Sequence, residues 1–337
     1  MRNNSGSGSF LIPLALAFWG MLSCPWLAIA QLTPERTYYG VDRAIPIAVS
    51  LPGGTGGEAS IVLYNAKGDR MARASVLAGP IDLAAFFPIL WDQANPIVLF
   101  AQLYANSGTD EQADRPIGPP LVLQPMLTPQ RAVARGNSVE WQSGPQQYSG
   151  LRIYTDKLMK LDTTEGVMVF RLRPDEAPNT VWHIRGLVEG GFYTDIAFHR
   201  VVPTHPSGMP FVIQAGDPIG SGSGGPGVFI DLEPSNLEHA FGVLSMARTQ
   251  NPDTNGSQFF VALSREATVH LNGAYTAFGE AIEGAQAILA VERTPLADAR
   301  SGQPVEAPRI RRAELIDAPP FGTGPKPLER PAPSGER

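Results

Sequence analysis

Glycine and proline punctuate this chain throughout: 35 Gly and 32 Pro in 337 residues cut it into short apolar runs separated by turn residues. Such punctuation argues for strands joined by turns, and against a disordered chain or a coiled coil. The length suggests about two domains, each large enough to bury a core. The net charge is −6, and the densest basic cluster, Arg309, Arg311 and Arg312, is short. No nucleic acid is expected as a partner, because phosphate-binding surfaces need clustered Lys and Arg.

The first thirty residues differ from the rest. One Arg near the start precedes an uncharged apolar run from Phe10 to Ala30, the pattern of a secretory signal peptide. Ala28-Ile29-Ala30 offers a small-x-small cleavage site that would leave Gln31 as the mature amino terminus. Two other readings stay open. An uncleaved anchor fits the length of the run, although Pro13, Gly20 and Pro25 interrupt it. A lipoprotein signal would place an acyl chain on Cys24 after Met21, Leu22 and Ser23. The expected location is exported, periplasmic or extracellular, with no stable membrane insertion once the signal is removed. Cys24 is the only cysteine, so cleavage after Ala30 excludes disulfides, thiol nucleophiles and cysteine metal sites.

The pattern predicts a signal peptide over 1–30, a β-sandwich-like domain over 31–126, a linker or irregular strap between domains over 127–150, a second domain over 151–317 and a disordered tail over 318–337. In the first domain, Ile45 to Leu51, Ile61 to Tyr64, Met71 to Leu77, Pro96 to Tyr104 and Leu121 to Gln124 read as strands, with Lys67-Gly68-Asp69 turning a hairpin. Asp82 to Trp91 reads as a helical turn or an edge strand, since Pro88 forbids a long helix. The second domain is expected to begin with strands Leu151 to Tyr154 and Gly166 to Leu172. A helix follows Pro178, with Val181, Ile184, Leu187 and Val188 on one face and Gly190-Gly191 at its end. A shorter helix spans about Glu283 to Val291, and Ala313 to Ile316 is a last strand. After Ala318 the chain is rich in Pro, Gly and charge without periodicity.

Function enters through five motifs. Phe198-His199-Arg200-Val201-Val202-Pro203 is followed by Phe211-Val212-Ile213-Gln214-Ala215-Gly216-Asp217, then Gly242-Val243-Leu244-Ser245-Met246-Ala247, Asn255-Gly256-Ser257-Gln258-Phe259-Phe260 and Phe278-Gly279. Together and in this order they resemble the cyclophilin family of peptidyl-prolyl cis-trans isomerases, over about Leu151 to Ile316. The resemblance implies a closed antiparallel β-barrel capped by two short helices, and proline-containing polypeptides as substrates. It implies catalytic roles for Arg200 and Gln214, and substrate binding by Phe211, Val212, Ala247, Arg248, Gln258, Phe260, His270, Leu271 and Tyr275.

These residue types suit the chemistry independently of the name. Rotation about an X-Pro bond is slow because amide conjugation must be broken, with a barrier of about 18–20 kcal/mol. A catalyst has only to bind the twisted amide better than the planar one. That calls for an apolar slot around the ring, as Phe211, Val212, Phe260 and Leu271 could form, and a donor near the prolyl nitrogen. Arg200 is the candidate donor, since a guanidinium stays protonated and carries several N–H groups, and Gln214 could brace it. Phe198, Phe259 and Phe278 read as core, and His199 as a satisfied structural histidine.

Other chemistries fit less well. The five histidines, His183, His199, His205, His239 and His270, show no ligand pair at helical spacing, so no metal or other cofactor is expected. Gly220 to Gly225 resembles a phosphate loop, but Pro226 to Leu232 after it reads as an extended strand rather than a helix. Asn255-Gly256-Ser257 matches a glycosylation acceptor, yet lies inside an isomerase motif. Arg248 stands where the family often has Asn, His270 where it often has Trp or Phe, and Tyr275 where many eukaryotic members have His. The altered rim leaves a rival open, a proline-segment binding or chaperone module with little turnover, and implies weak cyclosporin binding.

Overall fold

The computed structural model describes residues 31–51, 58–92, 94–105, 115–136, 138–142 and 144–332. The expected signal segment, residues 1–30, lies outside the described residues, as do 333–337.

The first domain is a sandwich of two antiparallel sheets. Three strands, Gln31–Pro34, Pro46–Ser50 and Gly79–Asp82, form one. The other has six, in the order Tyr38–Gly40, Tyr148–Thr155, Arg115–Leu127, Leu99–Ala105, Glu58–Asn65 and Arg70–Leu77. Alternation along the strands turns Leu32, Ile47 and Val49 of one sheet toward Ile61, Leu63, Leu103, Leu123 and Ile153 of the other, and these make one buried core. Between Asp82 and Trp91 the chain makes the helical turn Leu83–Phe86, capped by Asp82, whose Oδ1 accepts from Ala84 N at 3.0 Å and Ile45 N at 2.7 Å.

Two boundary expectations are overturned here. Residues 127–150 are no linker: they contain the hairpin Arg131–Arg135 and Ser138–Gln142. Nor does Leu151 to Tyr154 open the second domain. It belongs to Tyr148–Thr155, which pairs with both Arg115–Leu127 and Tyr38–Gly40 inside the sandwich. Gly150 permits this with φ of 137°, for a Cβ there would lie 2.0 Å from the Tyr39 carbonyl oxygen. The stretch 127–147 leaves the six-stranded sheet from Arg115–Leu127 and returns to it through Tyr148–Thr155.

The second domain begins at Lys157–Thr163. Its nine-stranded antiparallel sheet runs Ile196–Ala197, Arg309–Asp317, Lys157–Thr163, Gly166–Leu172, Ala277–Glu283, Val243–Met246, Phe259–Ala262, Val212–Ala215 and Arg200–Val202. The expected barrel takes the form of a curled half-barrel. Its two edge strands, Ile196–Ala197 and Arg200–Val202, share no ladder bonds, and the chain itself crosses the seam through Phe198 and His199. Helices Pro178–Glu189 and Ala285–Glu292 bury Val181, Ile184 and Val188, and Ala287, Ile288 and Val291, in the same core as Phe170, Phe198, Phe259 and Phe278. The Glu233 carboxylate caps the longer helix, accepting from Asn179 N at 2.9 Å and Thr180 N at 2.6 Å. The expected strand from Pro226 to Leu232 is absent, with only Ile230 bridging to Asn255. Among the described residues no helix is long and apolar enough to cross a membrane.

The tail is the third correction. From Ala318, which is buried, to Arg330 the chain runs back as a strap over both domains. Phe321 stacks on Tyr64 and packs tilted against Phe100 of the sandwich, and its amide donates to Gln102 Oε1 at 2.7 Å. Leu328 N donates to Ala281 O at 2.8 Å, and Arg330 pairs with Glu292 at 2.8 Å. Four prolines in this stretch, Pro319, Pro320, Pro325 and Pro327, remove donors that an ordered strap would otherwise have to satisfy. The domains also meet directly, where Trp182 of the long helix packs 5.2 Å from Tyr154 and edge-on to Tyr38, with the Arg152 guanidinium 4.9 Å over it.

Candidate active site

Strand alternation splits the motif residues into two sets. Val201, Ile213, Ala215, Phe259 and Val261 point into the half-barrel core. Their neighbours in sequence, Val202, Val212 and Phe260, turn to the other face and pack with Phe211, Ala247, Leu271 and Tyr275 as a separate apolar cluster. Register then aligns the polar groups with it. Arg200 is opposite Gln214, and Gln214 is opposite Phe260, so the three lie in one row across three paired strands.

A cavity of about 120 Å³ opens on this face, and every expected site residue lines it except Gln258 and His270. Its walls are the rings and aliphatic groups of Phe211, Val212, Phe260 and Leu271, with Phe260 5% and Leu271 6% exposed. Gln258 and His270 stand just behind. Gln258 closes a relay in which Arg200 Nη1 donates to Gln214 Oε1 at 3.2 Å, Gln214 Nε2 to Gln258 Oε1 at 3.0 Å, and Gln258 Nε2 to Gly224 O at 2.9 Å. His270 stacks on Phe211 at 5.7 Å between ring centroids. Burial pulls the Arg200 guanidinium below its ordinary pKa, opposed by Tyr275; an arginine still keeps its charge at physiological pH. A larger depression of about 710 Å³ lies in the sandwich between Ala59, Leu77, Ile81 and Phe86, and among the described residues no ionisable side chain lines it.

The glycine-rich turn is organised by Asp217 and not by a phosphate. Its carboxylate accepts from the amides of Ile219 and Gly222 and from Ser221 Oγ. Burial opposes ionisation, but amide donation from Ile219, Gly224 and Gly222 outweighs it and holds the carboxyl below its ordinary pKa. Gly224 comes so close to this carboxylate that a Cβ there would lie 2.0 Å from Asp217 Oδ1 and displace it. The turn thereby fixes the carbonyl that holds Gln258. Asn255, the glycosylation-like asparagine, is fully buried. His199 is half-buried beside the glycine-rich turn; burial lowers its pKa, opposed by the Asp217 charge and a hydrogen bond to the Ala197 backbone.

Sequence reasoning missed a supporting layer. His239 stacks on Phe260 at 5.8 Å, held by Asn272 Oδ1 at 2.8 Å and Ser245 Oγ at 2.9 Å. His205 lies 5.0 Å from the Phe211 ring and stacks on His270. Histidines scattered in sequence thus converge on the two phenylalanines of the slot. Nothing in their spacing announces it, because the His239–Phe260 and His205–His270 contacts join segments more than twenty residues apart.

The chain is similar in sequence to known proteins. The family model for cyclophilin type peptidyl-prolyl cis-trans isomerases matches residues 158–315. Peptidyl-prolyl cis-trans isomerase-like 1 of Gibberella zeae is 35% identical over 164 residues, 47% of this chain and 93% of that protein. Peptidyl-prolyl cis-trans isomerase B of Bacillus subtilis is 44% identical over 117 residues, 34% of this chain and 76% of that protein. A Cryptosporidium parvum cyclophilin type isomerase, crystallised in the presence of the dipeptide Ala-Pro, aligns at 30% identity with a TM-score of 0.42, over 47% of this chain and 98% of that one.

Proposed function

This chain belongs to the cyclophilin type peptidyl-prolyl cis-trans isomerases, and on that premise we propose that it accelerates rotation about X-Pro bonds in polypeptides folding outside the cytoplasm. The reading rests on one observation above the others, the row of Arg200, Gln214 and Phe260 at the mouth of an apolar cavity. The proline ring enters the slot between Phe211, Val212, Phe260 and Leu271. As the amide twists, conjugation is lost and a lone pair localises on the prolyl nitrogen. Arg200 donates to it there. Gln214 and Gln258 keep the guanidinium aimed, so no reorganisation is needed at the moment of reaction. No bond is made or broken; the rate gain comes from binding the twisted amide more tightly than either planar isomer.

Export is part of the same proposal, resting on the Phe10 to Ala30 run and the Ala28-Ile29-Ala30 site. The sandwich would then serve client contact or placement. Cyclosporin is expected to bind weakly, because His270 offers less apolar area at the rim than Trp. A protease-coupled assay on a proline peptide, with purified residues 31–337, tests the activity: turnover above the uncatalysed rate supports the enzyme, and tight peptide binding without turnover supports a binding module.

A further inference from the structure

Beside the cavity stands a second guanidinium that the mechanism does not use. Arg248 is held in place: Nε and Nη2 donate to Ala274 O at 3.1 and 2.9 Å, Nη1 to Thr249 O at 2.8 Å, and its carbon lies 4.5 Å over the Tyr275 ring. A guanidinium has five N–H groups, so these bonds leave two without a protein partner. Two other half-buried arginines packed against this domain meet carboxylates. Arg173 pairs with Asp175 and Glu280, and Arg330 with Glu292. Among the described residues Arg248 pairs with none, and the other cation lining the cavity, Arg200, is bonded only to the neutral Gln214. A chain of net charge −6 therefore presents two uncompensated, fixed cations at the edge of its proline slot. Ordering a flexible cation normally costs side-chain entropy that offsets a surface ion pair. Arg248 has already been ordered by its carbonyl bonds and the Tyr275 ring, so a ligand carboxylate gains the attraction without that cost.

We infer that Arg248 makes the slot selective for X-Pro segments carrying a carboxylate side chain close to the proline. The inference rests on the isomerase reading above and names the substrate class of that same site.

The test is a set of matched peptides with Glu or Gln immediately before, immediately after or two residues after the proline, assayed beside an Ala-Pro reference. In at least one position the Glu peptide should exceed its Gln partner in kcat/KM by about two- to fivefold at low salt. That ratio should fall toward one in Arg248→Gln, and also in the unmodified protein at high ionic strength, a readout that does not depend on the variant folding. Ratios of one at all three positions, with the reference turned over normally, would overturn the inference and leave the isomerase intact. A preference that persists in Arg248→Gln would overturn it too. If the wild-type protein turns over no peptide, the isomerase reading falls and the inference with it.

Discussion

Phe321 lies flat on Tyr64, with 5.0 Å between ring centroids and 13° between planes. One residue near the carboxyl end thus caps the hairpin strand Glu58–Asn65 near the amino end, while Leu328 and Arg330, a few residues on, anchor to the isomerase half. Phe321→Ala should destabilise the protein by about 1–3 kcal/mol, below the cost of emptying a fully buried Phe site because this ring is only part-buried. Chemical denaturation reads it; an unchanged midpoint would mean the strap carries no stability.

The same geometry bears on how the chain can be cut. A fragment of residues 151–317 takes half of the strand Tyr148–Thr155 away from its sheet and discards the strap. It should melt well below residues 31–337. Equal melting temperatures would show that the isomerase half gains nothing from either contact.

Acid should loosen the site through Asp217. Its folded pKa is depressed, so its stabilisation is fully present above the unfolded value and is lost as pH falls below about 4. The stability gap between wild type and Asp217→Asn should be widest at neutral pH and narrow as acid protonates the carboxyl. A gap independent of pH would place the role of Asp217 elsewhere than in its charge.

His270 stacks on Phe211 at the rim with 12° between ring planes. His270→Trp extends that apolar surface and should strengthen cyclosporin inhibition. An unchanged inhibition constant would remove His270 from the groove.

The slot could be read from sequence because its residues sit in contiguous motifs whose alternation already separates Val212 and Gln214 from Ile213 and Ala215. The errors fell where periodicity carries no information. Leu151 to Tyr154 reads as a strand, but its alternation does not say which sheet it joins; that is decided by pairing with the distant Arg115–Leu127 and Tyr38–Gly40 and by the close approach of Gly150 to Tyr39. The strap from Ala318 is held at a few points, Phe321, Leu328 and Arg330, too widely spaced for any helix or strand pattern. His239 behind Phe260 was invisible for another reason: stacking partners distant in sequence leave no local trace.

Arg200 acts on the twisted amide and not on the bound ground state under the proposed mechanism. Arg200→Ala should lower kcat/KM on a proline peptide by about 10²–10³, the usual loss for a preorganised donor, while circular dichroism and melting temperature stay near wild type. Arg200→Lys should recover only part of the rate, because an ammonium lacks the planar fork that Gln214 braces. Phe260→Ala provides the contrast, weakening stability and binding together by opening the slot. A well-folded Arg200→Ala protein that isomerises the peptide as fast as wild type would contradict the account.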